Sequence, residues 1–263
     1  VTRDDRGDRG NRGDRGDDVR DDHEASDDDR EGPVVAAIEA GAALYNAGHV
    51  LAARGLWEST RGALTDRDGP GLDRREPNTD ADGDDTKHGD DRLLRGLAVV
   101  ATATDHARDG DRSEAADHGG RAVSLLEGID EGYRGIAVEP MRERCRRLVA
   151  DPGAADITSE TAATEPPPIR VHGVAVGFED LDLAATLSAA PALATAVDAG
   201  DEGTLSAAAR LAREERGTGR TQVTELVFAF LRRPEARPQI AARIADHVDL
   251  DRREQRDVSG LFE

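Results

Sequence analysis

Apolar residues recur at three- and four-residue intervals along most of this chain, the period of one face of an α-helix. Behind Pro33, a residue suited to a first helical turn, Val34, Val35, Ile38, Ala42 and Tyr45 follow that spacing, and Gly48 stops it as a C′ glycine does. A second run, roughly His49 to Leu64, turns Val50, Ala53, Leu56 or Trp57, and Leu64 inward. The pair predicts a tight αα-hairpin. Residues 65–91 are polar and rich in Gly, Pro and Asp, which predicts a long loop with a disordered insertion at about 65–89. Asp90 or Asp91 is then placed to cap a helix with Leu93, Leu94, Leu97, Val100, Ala101 and Thr104 on one face, ended by Gly110. Asp111 and Glu114 resemble a capping box for a helix bearing Ala115, Ala122, Val123 and Leu126, and Pro140 opens a fifth helix to about Ala150.

Pro166, Pro167 and Pro168 close a Thr/Ala/Glu tract, so 151–168 reads as a linker. Beyond it, Ile169, Val171, Val174 and Val176 flank His172-Gly173 as a small β-hairpin would. Helical periodicity then returns at 181–198, with a break expected at Pro191, and at 203–215, 221–232 and 236–252. The third of these has the clearest pattern in the chain, with Val223, Leu226, Val227, Phe230 and Leu231 on one face, and Ile240, Ile244 and Val248 continue in the fourth. Val258, Leu261 and Phe262 could form a docking tail. The expected fold is all-α: a multi-helix bundle of antiparallel hairpins, with a small β-hairpin before a second helical region. The expected division is a tail at 1–32, a five-helix bundle at 34–150, a linker at 151–168 and a C-terminal region at 169–263.

Composition sharpens this picture. In 263 residues there are four Phe, two Tyr and one Trp, so the core must be made of Leu, Val and closely packed Ala, which favours helix on helix. Fifty-five acidic against 35 basic residues give a net charge of −20, which argues against nucleic acid as a partner. Lys87 is the only lysine, an Arg-for-Lys bias that, with the surplus of Asp, resembles the proteome of a salt-loving archaeon. Residues 1–32 carry 13 acidic residues and seven Arg, and predict a disordered acidic tail. Its three Arg-Gly-Asp triplets are weak grounds for adhesion or RNA binding. No apolar run reaches the length of a membrane span and no leader-like apolar segment is seen, so the expected location is cytoplasmic, with no membrane partner.

Cys145 excludes an internal disulfide, and with Met141, Leu148 and Val149 it is expected on the buried face of a short helix. Asp80, Asp82, Asp84 and Asp85 invite a calcium reading, but Gly83 falls too early for an EF-hand loop. No P-loop, dinucleotide fingerprint or nucleophile elbow occurs, and Gly217 to Gly219 follows no strand.

The order ALYNAG, a helix ending in WE, LLRGLAVVATATDHARDGD, SEAADHGGRAVSLL and YRGIAVEPMRERCRRL resembles the helical domain-of-unknown-function family number 309, in a haloarchaeal form, over residues 34–150. That resemblance implies an all-helical fold and no established activity. It also implies a His-Glu or His-Asp pair in the second helix, where this chain has Arg54-Gly55, and His-His in the third, where it has Asp105-His106. The same first hairpin resembles one tetratricopeptide repeat, with Trp57 as its large apolar residue, but no glycine turn recurs at the repeat length.

Arg54, Glu58, Asp105 and His106 are therefore the candidate polar groove, with Trp57 as the packing anchor. Either Arg54 and Asp105 form a buried pair that holds two helices in register, or both are solvated at the rim. A metal-hydrolase reading would add His49 and His118, but no HExxH or comparable i, i+4 ligand pair is expected to occur, so neither metal nor cofactor is expected. The preferred function is a non-enzymatic scaffold or protein-interaction module, meeting a protein partner or itself through a groove beside Trp57 or through helix 221–232. The alternative is a metal-dependent or small-molecule enzyme with a degenerate site. An exposed apolar groove would favour the first, and convergent His106, Asp105 and His118 the second.

Overall fold

The computed structural model describes residues 27–66, 81–150, 165–214 and 222–259, and within them nine α-helices pack largely as antiparallel neighbours. The Arg-Gly-Asp triplets, most of the 151–168 linker, Gly217 to Gly219 and the Leu261-Phe262 end lie outside the described residues.

Helix α1 (Asp27–Asn46) is the central element. It starts before Pro33, which was expected in its first turn, so the proline lies within the helix. Ala36, Ile38, Ala40, Ala42, Ala43, Leu44 and Tyr45 are all buried, a helix covered on nearly every side. It packs against α2 (Val50–Asp66), α3 (Ala81–Arg108) and α6 (Leu183–Ala196). Small residues make this possible. At Gly41 a Cβ would collide with the Trp57 indole, so the glycine is the seat on which the fully buried tryptophan rests.

The turn after α1 has the Schellman pattern. Gly48 takes φ +91°, its N–H donates to Tyr45 O at 3.0 Å, and the His49 N–H reaches Leu44 O at 2.9 Å. In α2, Val50, Ala53 and Trp57 are buried and Leu56 and Leu64 are half-buried, as the pattern predicted.

Helix α3 begins at Ala81, some ten residues before the expected start at Asp90 or Asp91. Part of the predicted loop and insertion is thus helical, and the Asp82 to Asp85 backbone is a helix, not a calcium loop. The reason is tertiary. The Asp90 side chain does not cap a helix: its oxygens accept from Arg134 Nε and Nη2, each at 2.8 Å, and from Tyr133 Oη at 2.9 Å. Tyr133 Oη also lies 3.0 Å from Thr86 O, and its ring covers Gly89, so this otherwise polar turn is fastened to the 3-10 turn at Tyr133–Gly135.

Helix α4 (Arg112–Leu126) starts as the capping box predicts, with the Asp111 carboxylate accepting from the Glu114 N–H. In α5 (Glu139–Ala150), Met141, Cys145 and Leu148 are buried, while Val149 is exposed and Arg144 takes the fourth buried position. One turn is 3.6 residues, so position 144 continues the stripe of 141 and 148 better than 149 does. Burial pushes the Cys145 thiol up to about 11, the state of an inert structural cysteine.

The hairpin pairs β1 (Arg170–Val171) with β2 (Val174–Ala175), turning through His172 and Gly173, both at positive φ. Asn46 fastens it to α1: its amide nitrogen donates to Ile169 O and Val176 O, each at 2.9 Å, and its oxygen accepts from Ile169 N at 2.7 Å.

Helix α6 runs through Pro191 without the expected break, held by Ala185, Ala189, Ala190 and Leu193 buried on both sides of it. It packs on α1 and α2 from one side and on α7 (Glu202–Glu214) and α8 (Gln222–Arg232) from the other. Helix α9 (Arg237–Ser259) closes over α7 and α8. The main hydrophobic core extends from Val34 in α1 to Val248 in α9. No described helix is long and apolar enough to cross a membrane.

Candidate functional site

Helices α3 and α4 pack as a hairpin with small residues at facing positions: Ala103, Ala107 and Ala115 are buried together with Leu148. A second Schellman turn joins them. Gly110 takes φ +78° and the Asp111 N–H reaches His106 O at 2.9 Å, which fixes His106 in the last turn of α3.

On the rim of that hairpin, the His106 and His118 rings stack with centroids 5.3 Å apart and planes 9° from parallel. His118 Nε2 lies 3.9 Å from Glu114 Oε2, and His106 Nδ1 lies 3.8 Å from Asp111 Oδ2. One ligand atom from each of His106, Glu114 and His118 lies within 4.8 Å of the others. His118 Nδ1 is buried and has no hydrogen-bond partner among the described residues. Burial lowers the His118 pKa, the neighbouring His106 and Arg121 lower it further, and Glu114 opposes them. A neutral imidazole is the form that ligates metal, and His118 turns Nε2 toward Glu114.

The cluster opens on a crevice of about 770 Å³ between α2, α3 and α4. Its walls include Arg54 and Glu58 from α2, Arg95, Thr102 and His106 from α3, and Asp117, His118 and Arg121 from α4. The polar groove expected from the sequence is therefore present in part: Arg54, Glu58 and His106 share this crevice, whereas Asp105 does not line it.

Arg54 does not form the buried pair with Asp105. Its Nε donates to Glu58 Oε1 at 3.0 Å along the same helix, and both side chains are about half exposed. The inward stripe of α2 is Val50, Ala53 and Trp57, and Arg54 stands one residue, about 100°, off Ala53. Among the described residues, Asp90 and Arg134 form an Arg–Asp pair that is largely shielded from water. Trp57 is the anchor expected of it, but it is fully covered, and Val223, Leu226, Val227, Phe230 and Leu231 of α8 are buried inside the chain. His49 belongs elsewhere, at the α1–α2 turn, where burial and then Arg237 and Arg108 lower its pKa.

Glu114 is the cluster residue that spacing did not single out. With His118 it forms an i, i+4 pair on one face of α4, so the ligand pattern expected to be lacking is present in the sequence. Arg95 and Arg121 were not foreseen either, because nothing in an exposed arginine's spacing marks it.

The fold and this rim cluster define an all-α protein with a histidine-rich polar crevice. Comparison with protein families, with curated proteins and with solved structures finds no match to this chain.

Proposed function

We propose that this chain is a helical protein that binds one divalent transition-metal ion through His106, Glu114 and His118. The observation that carries this reading is the convergence of two imidazoles and one carboxylate within 4.8 Å on the rim of an open crevice. Ligands of a tetrahedral zinc ion stand about 3.3 Å apart, given bonds near 2.0–2.1 Å. The partly exposed His106 and Glu114 side chains have room to close that gap by rotation. Imidazole and carboxylate donors suit zinc, cobalt, nickel or copper over calcium or magnesium. Three protein ligands, and no fourth among the described residues, correspond to a site that leaves a coordination position to water or a small molecule, where the ion acts as a Lewis acid.

This reading is put ahead of the expected scaffold or interaction module, which stays the alternative; Trp57 and the apolar face of α8 are buried within the chain. The resemblance to family number 309 is compatible with it and adds an all-helical fold but no chemistry. The acidic, lysine-poor composition supports work at high salt.

The test is equilibrium dialysis of chelator-treated protein against Zn²⁺ in high KCl. One tightly held ion per chain is expected, lost in both His106→Ala and His118→Ala. Zinc uptake that is unchanged in the double variant would assign the ions to the acidic surface and overturn the reading.

A further inference from the structure

The crevice beside the cluster is lined by three arginines and two carboxylates, Glu58 and Asp117, a small positive excess in an acidic protein. The chain carries −20 overall, yet three arginines, one from each of three helices, converge on this wall. Arg54 is engaged by Glu58. Arg95 and Arg121 make no hydrogen bond or ion pair among the described residues. Both are held by α3 and α4, the hairpin that also holds His106 and His118, so their backbone positions are fixed relative to the ligand cluster.

Resting on the metal reading above, we propose that the crevice takes a small anionic molecule, whose carboxylate or phosphate oxygen completes the metal's coordination while Arg121, one turn from His118, holds the remaining oxygens of that group and Arg95, about 16 Å along α3 from His106, holds a further anionic group where the molecule has one. A divalent ion held by two neutral imidazoles and one carboxylate keeps a net positive charge, which an anion neutralises and a neutral or cationic molecule does not. Guanidinium forks match the planar geometry of carboxylate and phosphate oxygens, and each charge-assisted hydrogen bond is stronger than a neutral one. The volume of about 770 Å³ suits a metabolite-sized molecule and not a folded partner.

The experiment uses the full chain loaded with Co²⁺, whose visible absorption reports its ligands, titrated at constant KCl with inorganic phosphate and, separately, with acetate. The expected result is a saturable spectral change with at least one of the two anions. The Arg95→Gln/Arg121→Gln double variant should keep its Co²⁺ affinity and bind that anion roughly tenfold more weakly. A response to phosphate alone assigns a phosphate ligand, and a response to acetate alone a carboxylate. A Co²⁺ spectrum indifferent to both anions, or a response equal in the double variant, overturns the anion proposal and leaves metal binding standing. Absence of any protein-bound Co²⁺ band overturns both.

Discussion

Arg134 donates to both carboxylate oxygens of Asp90, at 2.8 Å each, in a pair that is largely shielded from water. Arg134 reaches it from a left-handed backbone conformation, φ +52°, inside the 3-10 turn, and Tyr133 Oη shares the same carboxylate. Burial, and then Asp90, push the Tyr133 hydroxyl up to about 12, so it remains a hydrogen-bond donor at any ordinary pH. The arrangement ties the α4–α5 connection to the first turns of α3, a segment with few apolar residues of its own.

Asp90→Ala leaves the Arg134 guanidinium in a shielded position without its bidentate partner, and the expected loss of stability is about 3–5 kcal/mol. Denaturant unfolding at high KCl measures it. A loss below about 1 kcal/mol, the range of exposed pairs, would show that the pair is solvated in solution.

Gly41→Val places a side chain where the Trp57 indole sits. Overpacking of this kind costs about 1–3 kcal/mol. Trp57 is the only tryptophan, so its fluorescence reports the site directly. A red-shifted emission is expected together with the lost stability, and emission unchanged from the parent would contradict the packing described.

The folded-state pKa of His118 lies below its ordinary 6.5, chiefly through burial, so the unfolded chain takes up the proton first as pH falls. Its contribution to stability is therefore complete above about pH 6.5 and declines as pH drops from there toward the folded value. His49 shifts in the same direction through its own burial. Metal-free protein is expected to lose stability just below pH 6.5, with a shallower slope in His118→Gln. An identical slope in parent and variant would mean that His118 does not contribute to the pH dependence.

With a net charge of −20, self-repulsion is screened only where the Debye length is short, about 3 Å at 1 M salt against about 30 Å at 0.01 M. Helical circular dichroism is expected to fall as KCl is reduced from molar to millimolar. A spectrum unchanged over that range would show that the core outweighs the repulsion.

What was legible in the sequence was local. The Gly48 and Gly110 turns, the Asp111–Glu114 cap and the α8 stripe each lie within a few neighbouring residues, and each formed as read. The start of α3 was not legible, because an Asp- and Gly-rich segment has weak helix propensity and is fastened by Tyr133 and Arg134, more than forty residues away. For Arg54 the sequence left open a buried pair with Asp105 or a solvated place at the rim; it stands at the rim, because it lies beside the inward stripe and Glu58 receives it along its own helix.

By itself, then, the sequence determined an all-α chain of glycine-turned hairpins with an aromatic-poor core, since periodicity, caps and turn residues act over one or two helical turns. Tertiary structure decided that α1 is covered by helices from both halves of the chain, that Asp90 pairs with the shielded Arg134 while Arg54 pairs with Glu58, and that His106 meets His118. Those outcomes depend on how closely helices approach and at what rotation. Such distances are set by alanines and glycines at the contacts, whose effect appears only when the facing helix is in place.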